Sequence, residues 1–295
     1  MTVFAKTAAL AALIVCITCS DAGAEVNWSP GSATGKLVMS VGGFSGPESV
    51  RYDADQDVYF VSNFNGDVSG DANAFVSKVS AAGEVLELKF MTGTAEAPFH
   101  GGRGMYIVND GLWVADAGGI HRFHRRSGAH LEFVDFAQFN PGFLNDITLG
   151  PDGSLYVTDT GNSVLYKVSG GVVSIATATP FAANGITTNP DNGRLILVPW
   201  SGAEEYVEWD TVTQSFATIG KTAGGENFDG VEVFGGAVIV ACQSDTSLHV
   251  MIDGIDRKVV ALAGKPADIA IDTKRMHVAV PFVGLDRVDI LTLAE

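Results

Sequence analysis

The sequence predicts an all-β chain folded as a six-bladed β-propeller whose ring is closed by an N-terminal strand. Six segments repeat one pattern, in which a lead residue precedes apolar residues at alternate positions and a second apolar run follows about ten residues later. A period of about 40–45 residues built from strand-like units is typical of propellers. The lead residues are Glu48, Arg103, Asn145, Asn184, Asp229 and Ala267.

Each repeat contains the signals of four short strands. In the third repeat Ile147 and Leu149 alternate with polar residues, which predicts a strand with one buried face. The turn sequence Gly150-Pro-Asp-Gly153 follows, and Pro, Asp and Gly favour hairpins. Further apolar runs at 164–168 and 172–175 predict the third and fourth strands.

The last repeat lacks a fourth strand, because the chain ends soon after its third, Arg287–Leu293. An unassigned strand-like segment, Lys36–Val41, precedes the first repeat. We expect these two segments to pair, since an unpaired sheet edge invites aggregation.

The N-terminus has the pattern of a secretory signal peptide. Lys6 precedes an apolar stretch from Thr7 to Cys19, and Ala22-Gly-Ala24 forms a cleavage site. We therefore expect a signal peptide at 1–24, a propeller domain at 25–295, and export to the periplasm or the extracellular space. Cys242 then remains as the single cysteine, which predicts a buried apolar role and no internal disulfide.

The formal net charge of −16 argues against nucleic acid and against anionic membrane surfaces as partners. After signal cleavage we expect no membrane attachment. The sequence predicts a monomer that acts on a small molecule.

Four of the lead residues carry side-chain oxygens, namely Glu48, Asn145, Asn184 and Asp229. Equivalent positions of a propeller converge on its axis, so these side chains are predicted to form one ring. Such oxygen ligands suit Ca²⁺, with Mg²⁺, Mn²⁺ and Zn²⁺ as alternatives, although Zn²⁺ prefers histidine or cysteine. The competing interpretation is that the Asn-Gly and Asp-Gly pairs only form turns and that the glutamate is solvated.

Residues 40–290 resemble the senescence marker protein/gluconolactonase family, which includes regucalcin. The resemblance rests on Gly46-Pro-Glu48, Asn145-Asp, Ala183-Asn184-Gly-Ile and Phe228-Asp229-Gly. It implies that Glu48, Asn145, Asn184 and Asp229 hold one divalent cation, often calcium. It also implies that Asp229 is the base for lactone hydrolysis.

One departure from the family concerns substrate binding. Family members that bind sugar acids have an arginine two residues before the first asparagine, where this chain has Phe143. Arg103, which leads the second repeat, is expected to direct its guanidinium into the same channel mouth, and His100 lies in the same glycine-rich loop. The alternative places Arg103 on the surface.

The resulting hypothesis is a metal-dependent hydrolase of small lactones or related esters. The segment Pro151–Asn162 also resembles NHL-type repeats, whose propellers bind proteins or ligands without catalysis. A third alternative is a propeller that binds the cation only for stability, and fold alone does not decide among the three.

Overall fold

The computed structural model describes residues 34–67 and 70–294, and almost all of their regular structure is strand. The helices within these ranges are two single turns of 3-10 helix, Ala137–Phe139 and Val283–Leu285. Neither is long and apolar enough to cross a membrane. The predicted signal peptide, residues 1–24, lies outside the described residues.

Twenty-four strands follow one another along this part of the chain. In chain order they are β1 (Thr34–Gly42), β2 (Pro47–Asp53), β3 (Val58–Asn63), β4 (Phe75–Ser80), β5 (Val85–Thr92), β6 (Met105–Val108), β7 (Gly111–Ala115), β8 (Gly119–His124), β9 (His130–Asp135), β10 (Leu144–Leu149), β11 (Leu155–Asp159), β12 (Val164–Ser169), β13 (Val172–Ala178), β14 (Ala182–Thr188), β15 (Leu195–Ser201), β16 (Glu205–Asp210), β17 (Ser215–Lys221), β18 (Phe228–Phe234), β19 (Ala237–Cys242), β20 (Ser247–Ile252), β21 (Ile255–Ala261), β22 (Ala270–Asp272), β23 (His277–Phe282) and β24 (Arg287–Ala294).

Hydrogen bonding groups these strands into four sheets of four strands and one sheet of eight. In β2–β5, β6–β9 and β10–β13 each strand pairs with its neighbour in the chain, as the turn signals of one repeat predict. The eight-stranded sheet contains two such meanders, β14–β17 and β18–β21. They are joined by a single parallel residue pair, Lys221 and Ile255.

The N-terminal strand completes the sheet formed by the C-terminal strands. β1 pairs antiparallel with β24, so that Lys36 faces Thr292 and Val41 faces Val288. The prediction that Lys36–Val41 lies beside Arg287–Leu293 is therefore confirmed. The sheet order β1-β24-β23-β22 gives this group the four strands of the others.

The apolar core is divided into six clusters, each shared by two successive groups of four strands. Phe60 of β3 and Leu112 of β7 belong to one of them. Val50 of β2 and Ile290 of β24 belong to another, which joins the first group to the last. Burial of apolar side chains between sheets thus holds the described strands together.

The first strands of successive groups contact one another in cyclic order: β2, β6, β10, β14, β18, β22 and again β2. Backbone hydrogen bonds link them, for example from Val50 N to Asp268 O at 3.1 Å and from Gly104 N to Asn145 O at 3.0 Å. This arrangement brings together the lead residues, which lie at or near the beginning of these strands.

Candidate functional site

A cavity of about 570 Å³ opens where the first strands begin. All four oxygen-bearing lead residues line it: Glu48 of β2, Asn145 of β10, Asn184 of β14 and Asp229 of β18. The structure thus brings together side chains that are spread over most of the sequence.

Each of these four side chains is almost fully buried, with an exposed fraction between 3% and 5%. Each also has one oxygen without a hydrogen-bond partner among the described residues: Glu48 Oε2, Asn145 Oδ1, Asn184 Oδ1 and Asp229 Oδ1. A buried polar atom left unpaired costs about 1–3 kcal/mol. Four such oxygens on one cavity fit a shared positive partner, and an oxygen-only donor set suits a hard cation such as Ca²⁺.

Neighbouring polar groups fix the orientation of two of these side chains. Gln243 Nε2 donates a hydrogen bond of 2.7 Å to Asp229 Oδ2, which leaves Oδ1 as the unpaired oxygen. Asn145 Nδ2 donates to Thr160 Oγ1 at 3.3 Å, so its carbonyl oxygen is the atom left for a ligand. Gln243 and Thr160 also line the cavity.

The electrostatics of the cavity favour a cation. Burial and, after it, the negative charge of Asp268 raise the pKa of Asp229 to about 8, although the hydrogen bond from Gln243 opposes the shift. Burial followed by the charges of Asp229 and Asp268 raises the pKa of Glu48 well above its ordinary value, against the effect of Arg103. A divalent cation between these carboxylates would offset their repulsion.

A second pair of carboxylates, Asp146 and Asp268, is buried next to the lead residues. Burial raises the pKa of Asp146 to about 7, and Asp268 accepts a 2.5 Å hydrogen bond from Ser49 Oγ. Glycines make room for both: a Cβ on Gly104 would lie 2.3 Å from Asp146 Oδ1, and one on Gly230 would lie 2.7 Å from Asp268 Oδ1. Sequence reasoning missed this pair, although each aspartate directly follows a lead residue.

The rest of the cavity wall is largely apolar. Phe143, predicted as an apolar wall, lines the cavity together with Phe64, Trp200 and Val283. No lysine, arginine or histidine occurs among the lining residues that the structure describes. Trp200 was also missed, because nothing in its strand, β15, distinguishes it from other apolar residues.

Arg103 and His100 do not line the cavity. The Arg103 guanidinium lies over the Phe143 ring, 3.8 Å from its centre, and donates to Leu144 O at 2.9 Å. It is buried, with an exposed fraction of 1%, so it is neither a surface residue nor a wall of the cavity. Arg103 can instead hold the Phe143 ring in place and act on Glu48 through its charge. A direct substrate contact by either residue stays a prediction.

A separate group of possible metal ligands lies in the β18–β21 meander. Cys242, Asp245 and His249 offer ligand atoms within 4.8 Å of one another.

No protein-family model matches this chain, and no curated protein matches it by sequence. Solved structures do match its fold. A gluconolactonase from Xanthomonas campestris is 18% identical, with a TM-score of 0.67 and coverage of 90% of this chain and 91% of that one. The calcium-binding protein regucalcin from Agrobacterium tumefaciens is 15% identical, with a TM-score of 0.64 and coverage of 85% and 91%. Virginiamycin B lyase from Staphylococcus aureus is 14% identical, with a TM-score of 0.63 and coverage of 88% and 100%.

These likenesses confirm, at the level of fold, the resemblance to gluconolactonase and regucalcin. The names of the matching structures cover both lactonases and lyases. Fold similarity therefore does not identify the reaction, which has to be argued from the site.

Proposed function

We propose that this chain is a six-bladed β-propeller that hydrolyses small lactones or related esters with one hard divalent cation, Ca²⁺. The cation is held by Glu48, Asn145, Asn184 and Asp229. The observation that carries the proposal is the set of four unpaired, buried oxygens around one cavity. The sequence alone singled out the same four residues.

Several features support six blades. The described strands number twenty-four, and six core clusters join successive groups of four. The eight-stranded sheet divides naturally into two blades, because one residue pair, Lys221 with Ile255, joins its halves.

A bound cation would polarise the lactone carbonyl and offset the negative charge that develops on its oxygen. Asp229 accepts a proton from the attacking water as the water oxygen bonds to the carbonyl carbon, and it returns that proton to the leaving oxygen when the acyl C–O bond breaks. The pKa of Asp229 is raised to about 8 in the cation-free site, and a bound cation would lower it, so that the carboxylate is ionised and able to accept a proton at neutral pH. Gln243 keeps Asp229 in one orientation, and Asn145 and Asn184 contribute ligand oxygens without adding negative charge.

The wall of the cavity favours an apolar substrate. Phe143, Phe64, Trp200 and Val283 present apolar surface. Burying one apolar group of this size contributes about 1.5–3 kcal/mol to binding. The lining residues described offer no cationic side chain to pair with a sugar acid's carboxylate. The proposed substrates are therefore apolar lactones or esters rather than sugar-acid lactones.

The cellular setting is part of the same proposal. We propose that the chain is exported to the periplasm or beyond after cleavage of residues 1–24, and that it acts as a monomer on a small molecule. The net charge of −16 supports partners other than nucleic acid or anionic membrane.

The test of function is hydrolysis of a lactone panel with and without a chelator. We expect turnover that stops with the chelator and returns on addition of Ca²⁺. Turnover unaffected by chelator would contradict the metal-dependent mechanism. No turnover of any lactone or ester, with the cation bound, would favour the non-catalytic binding module.

Glu48→Gln tests the cation site directly. It keeps the size of the side chain but removes one of the two carboxylates at the ring of lead residues, so Ca²⁺ binding should weaken by about tenfold or more. Isothermal titration calorimetry would measure the change. Glu84→Gln is the matched control, because Glu84 lies exposed in the turn before β5. Equal Ca²⁺ affinity in both variants would remove Glu48 from the ligand set.

Phe143→Arg tests substrate preference. The new guanidinium would replace apolar surface by a hydrogen-bond donor, so the ratio of kcat/KM for apolar over sugar-acid lactones should fall by about tenfold. Phe143→Leu keeps an apolar wall and should change the ratio little. If the wild-type chain hydrolyses gluconolactone faster than any apolar lactone, the interpretation of Phe143 is wrong.

A further inference from the structure

The cluster of Cys242, Asp245 and His249 is built from one hairpin. Cys242 ends β19, Asp245 lies in the following turn, and His249 is in β20. The Cys242 and His249 residues have no exposed surface, and the three ligand atoms lie within 4.8 Å of one another. None of the three lines the cavity described above. The cluster is therefore a separate feature of the molecule.

Asp256 orients the histidine. Its Oδ2 lies 2.7 Å from His249 Nδ1, which turns the other ring nitrogen, Nε2, to within 3.2 Å of Asp245 Oδ2. Asp256 is itself fixed, because its Oδ2 also accepts hydrogen bonds from Tyr206 Oη and from Ala223 N. Metal-bound histidines commonly have a carboxylate on the opposite ring nitrogen, where it sets the tautomer and raises the basicity of the ligand.

The donor set is unlike that of the cavity. Sulfur, nitrogen and a carboxylate oxygen are the ligands of Zn²⁺, which binds them at about 2.0–2.3 Å in tetrahedral geometry. With one sulfur ligand the atoms around such an ion are about 3.3–3.6 Å apart, so the atoms here, which lie within 4.8 Å of one another, need to close by no more than about 1.5 Å. The carbonyl oxygen of Glu226, 3.4 Å from Cys242 Sγ, stands beside the cluster at a possible fourth position.

The charges around the cluster are compatible with a bound ion. Lys258 Nζ lies 3.3 Å from Asp245 Oδ2, on a side chain that is partly exposed, so it can move away as an ion enters. A divalent ion binds a thiolate and a neutral imidazole nitrogen, so any protons on these two groups leave as the ion binds.

Access to the cluster requires only a local movement. Residues 223–226 are exposed, and Gly225 packs on the thiol so closely that a Cβ there would lie 2.6 Å from Cys242 Sγ. Displacing this short exposed segment opens a path from solvent to the sulfur.

We propose that Cys242, Asp245 and His249 form a second metal site, selective for Zn²⁺ and similar ions that prefer sulfur and nitrogen ligands, separate from the Ca²⁺ site proposed in the cavity. The second site does not depend on the proposed hydrolase activity. Its role is structural, because it ties together strands β19 and β20 and the exposed 223–226 segment.

The experiment uses Co²⁺ as a spectroscopic probe for the full chain, reduced and stripped of metal. We expect a near-ultraviolet thiolate-to-cobalt absorption band at one equivalent of Co²⁺. Zn²⁺ should abolish the band, whereas a large excess of Ca²⁺ should not. Cys242→Ser should lack it, whereas Glu48→Gln, which alters the cavity, should keep it. Asp245→Asn, with a partly exposed side chain, should weaken binding by about 10–100-fold and serves if Cys242→Ser fails to fold.

Proton release gives an independent measurement. Calorimetry at pH 7 in buffers of different ionisation enthalpy should show protons released on Zn²⁺ binding, because the ion binds a thiolate. Absence of a thiolate band at saturating Co²⁺, persistence of the band in Cys242→Ser, or Zn²⁺ binding without proton release would each overturn the proposal. The cluster would then be an ion-pair network without a metal.

Discussion

Asp229→Asn is expected to lower lactone hydrolysis by about 10²–10⁴-fold while leaving the fold intact, since that is the usual contribution of a positioned general base. Asparagine has the same shape, and rotation of the Gln243 amide lets the Gln243 oxygen accept a hydrogen bond from the new amide nitrogen, so that the asparagine oxygen still faces the cavity. The measurement is kcat at saturating Ca²⁺, with circular dichroism to check the fold. Because saturating Ca²⁺ fills the cation site in the variant as well, a lower kcat then reflects loss of the base and not weaker cation binding.

The matched control for this variant is Asp191→Asn, which removes the same charge from the exposed turn between β14 and β15. It should retain wild-type kcat. If Asp229→Asn keeps full activity on every substrate, Asp229 is not the general base. A lowered kcat that more Ca²⁺ restores would assign Asp229 to cation binding alone.

The second large effect concerns stability. In the presence of chelator, the melting temperature should fall as the pH rises from about 5 to about 8. Burial and neighbouring charges raise the pKa of Asp229 to about 8 and of Asp146 to about 7, whereas in the unfolded chain both carboxyls ionise near pH 4. The folded state then binds more protons than the unfolded state over this range, so a rise in pH destabilises the fold.

The size of this effect follows from the linkage. For one carboxyl that is protonated in the folded state and ionised in the unfolded state, each pH unit lowers the free energy of unfolding by about 1.4 kcal/mol. Over three units the melting temperature should fall on the order of 10 °C. Saturating Ca²⁺ should remove most of the fall at pH 8, because a ligand that binds only the folded state stabilises it.

Two controls separate the buried carboxyls from general surface repulsion. The measurement repeated at high salt screens exposed charges but affects buried ones much less. Asp229→Asn removes one of the responsible groups and should reduce the slope. A melting temperature that rises between pH 5 and 8 in the presence of chelator would show that folding does not raise the pKa values of Asp229 and Asp146.

The sequence anticipated the parts of the fold that repeat. The alternation of apolar residues located the first strands, and the unmatched segment Lys36–Val41 was correctly paired with the C-terminal strand. The four oxygen-bearing lead residues meet at one cavity because equivalent positions of successive sheets converge. Positions that recur in a regular geometry can therefore be predicted from the sequence alone.

The repeat pattern could not predict contacts between loops or the orientations of individual side chains. Arg103 shares the register of the lead residues, yet its long side chain turns onto Phe143 instead of lining the cavity. Gln243 reaches Asp229 from the end of a different strand. Cys242 was correctly expected to be buried. Its neighbours His249 and Asp245 could not be recognised, because hairpin register decides which side chains meet.

The pairing of β1 with β24 has a consequence for how the protein is made. Thr292 and Lys36, which meet there, are 256 residues apart. This contact closes residues 36–292 into one loop, and it can form only when β24 has been synthesised. Contacts so distant in sequence slow folding, because the loop must be ordered before any contact stabilises it. Until β1 and β24 pair, the folding chain has two open sheet edges, at which it can pair with another copy of itself.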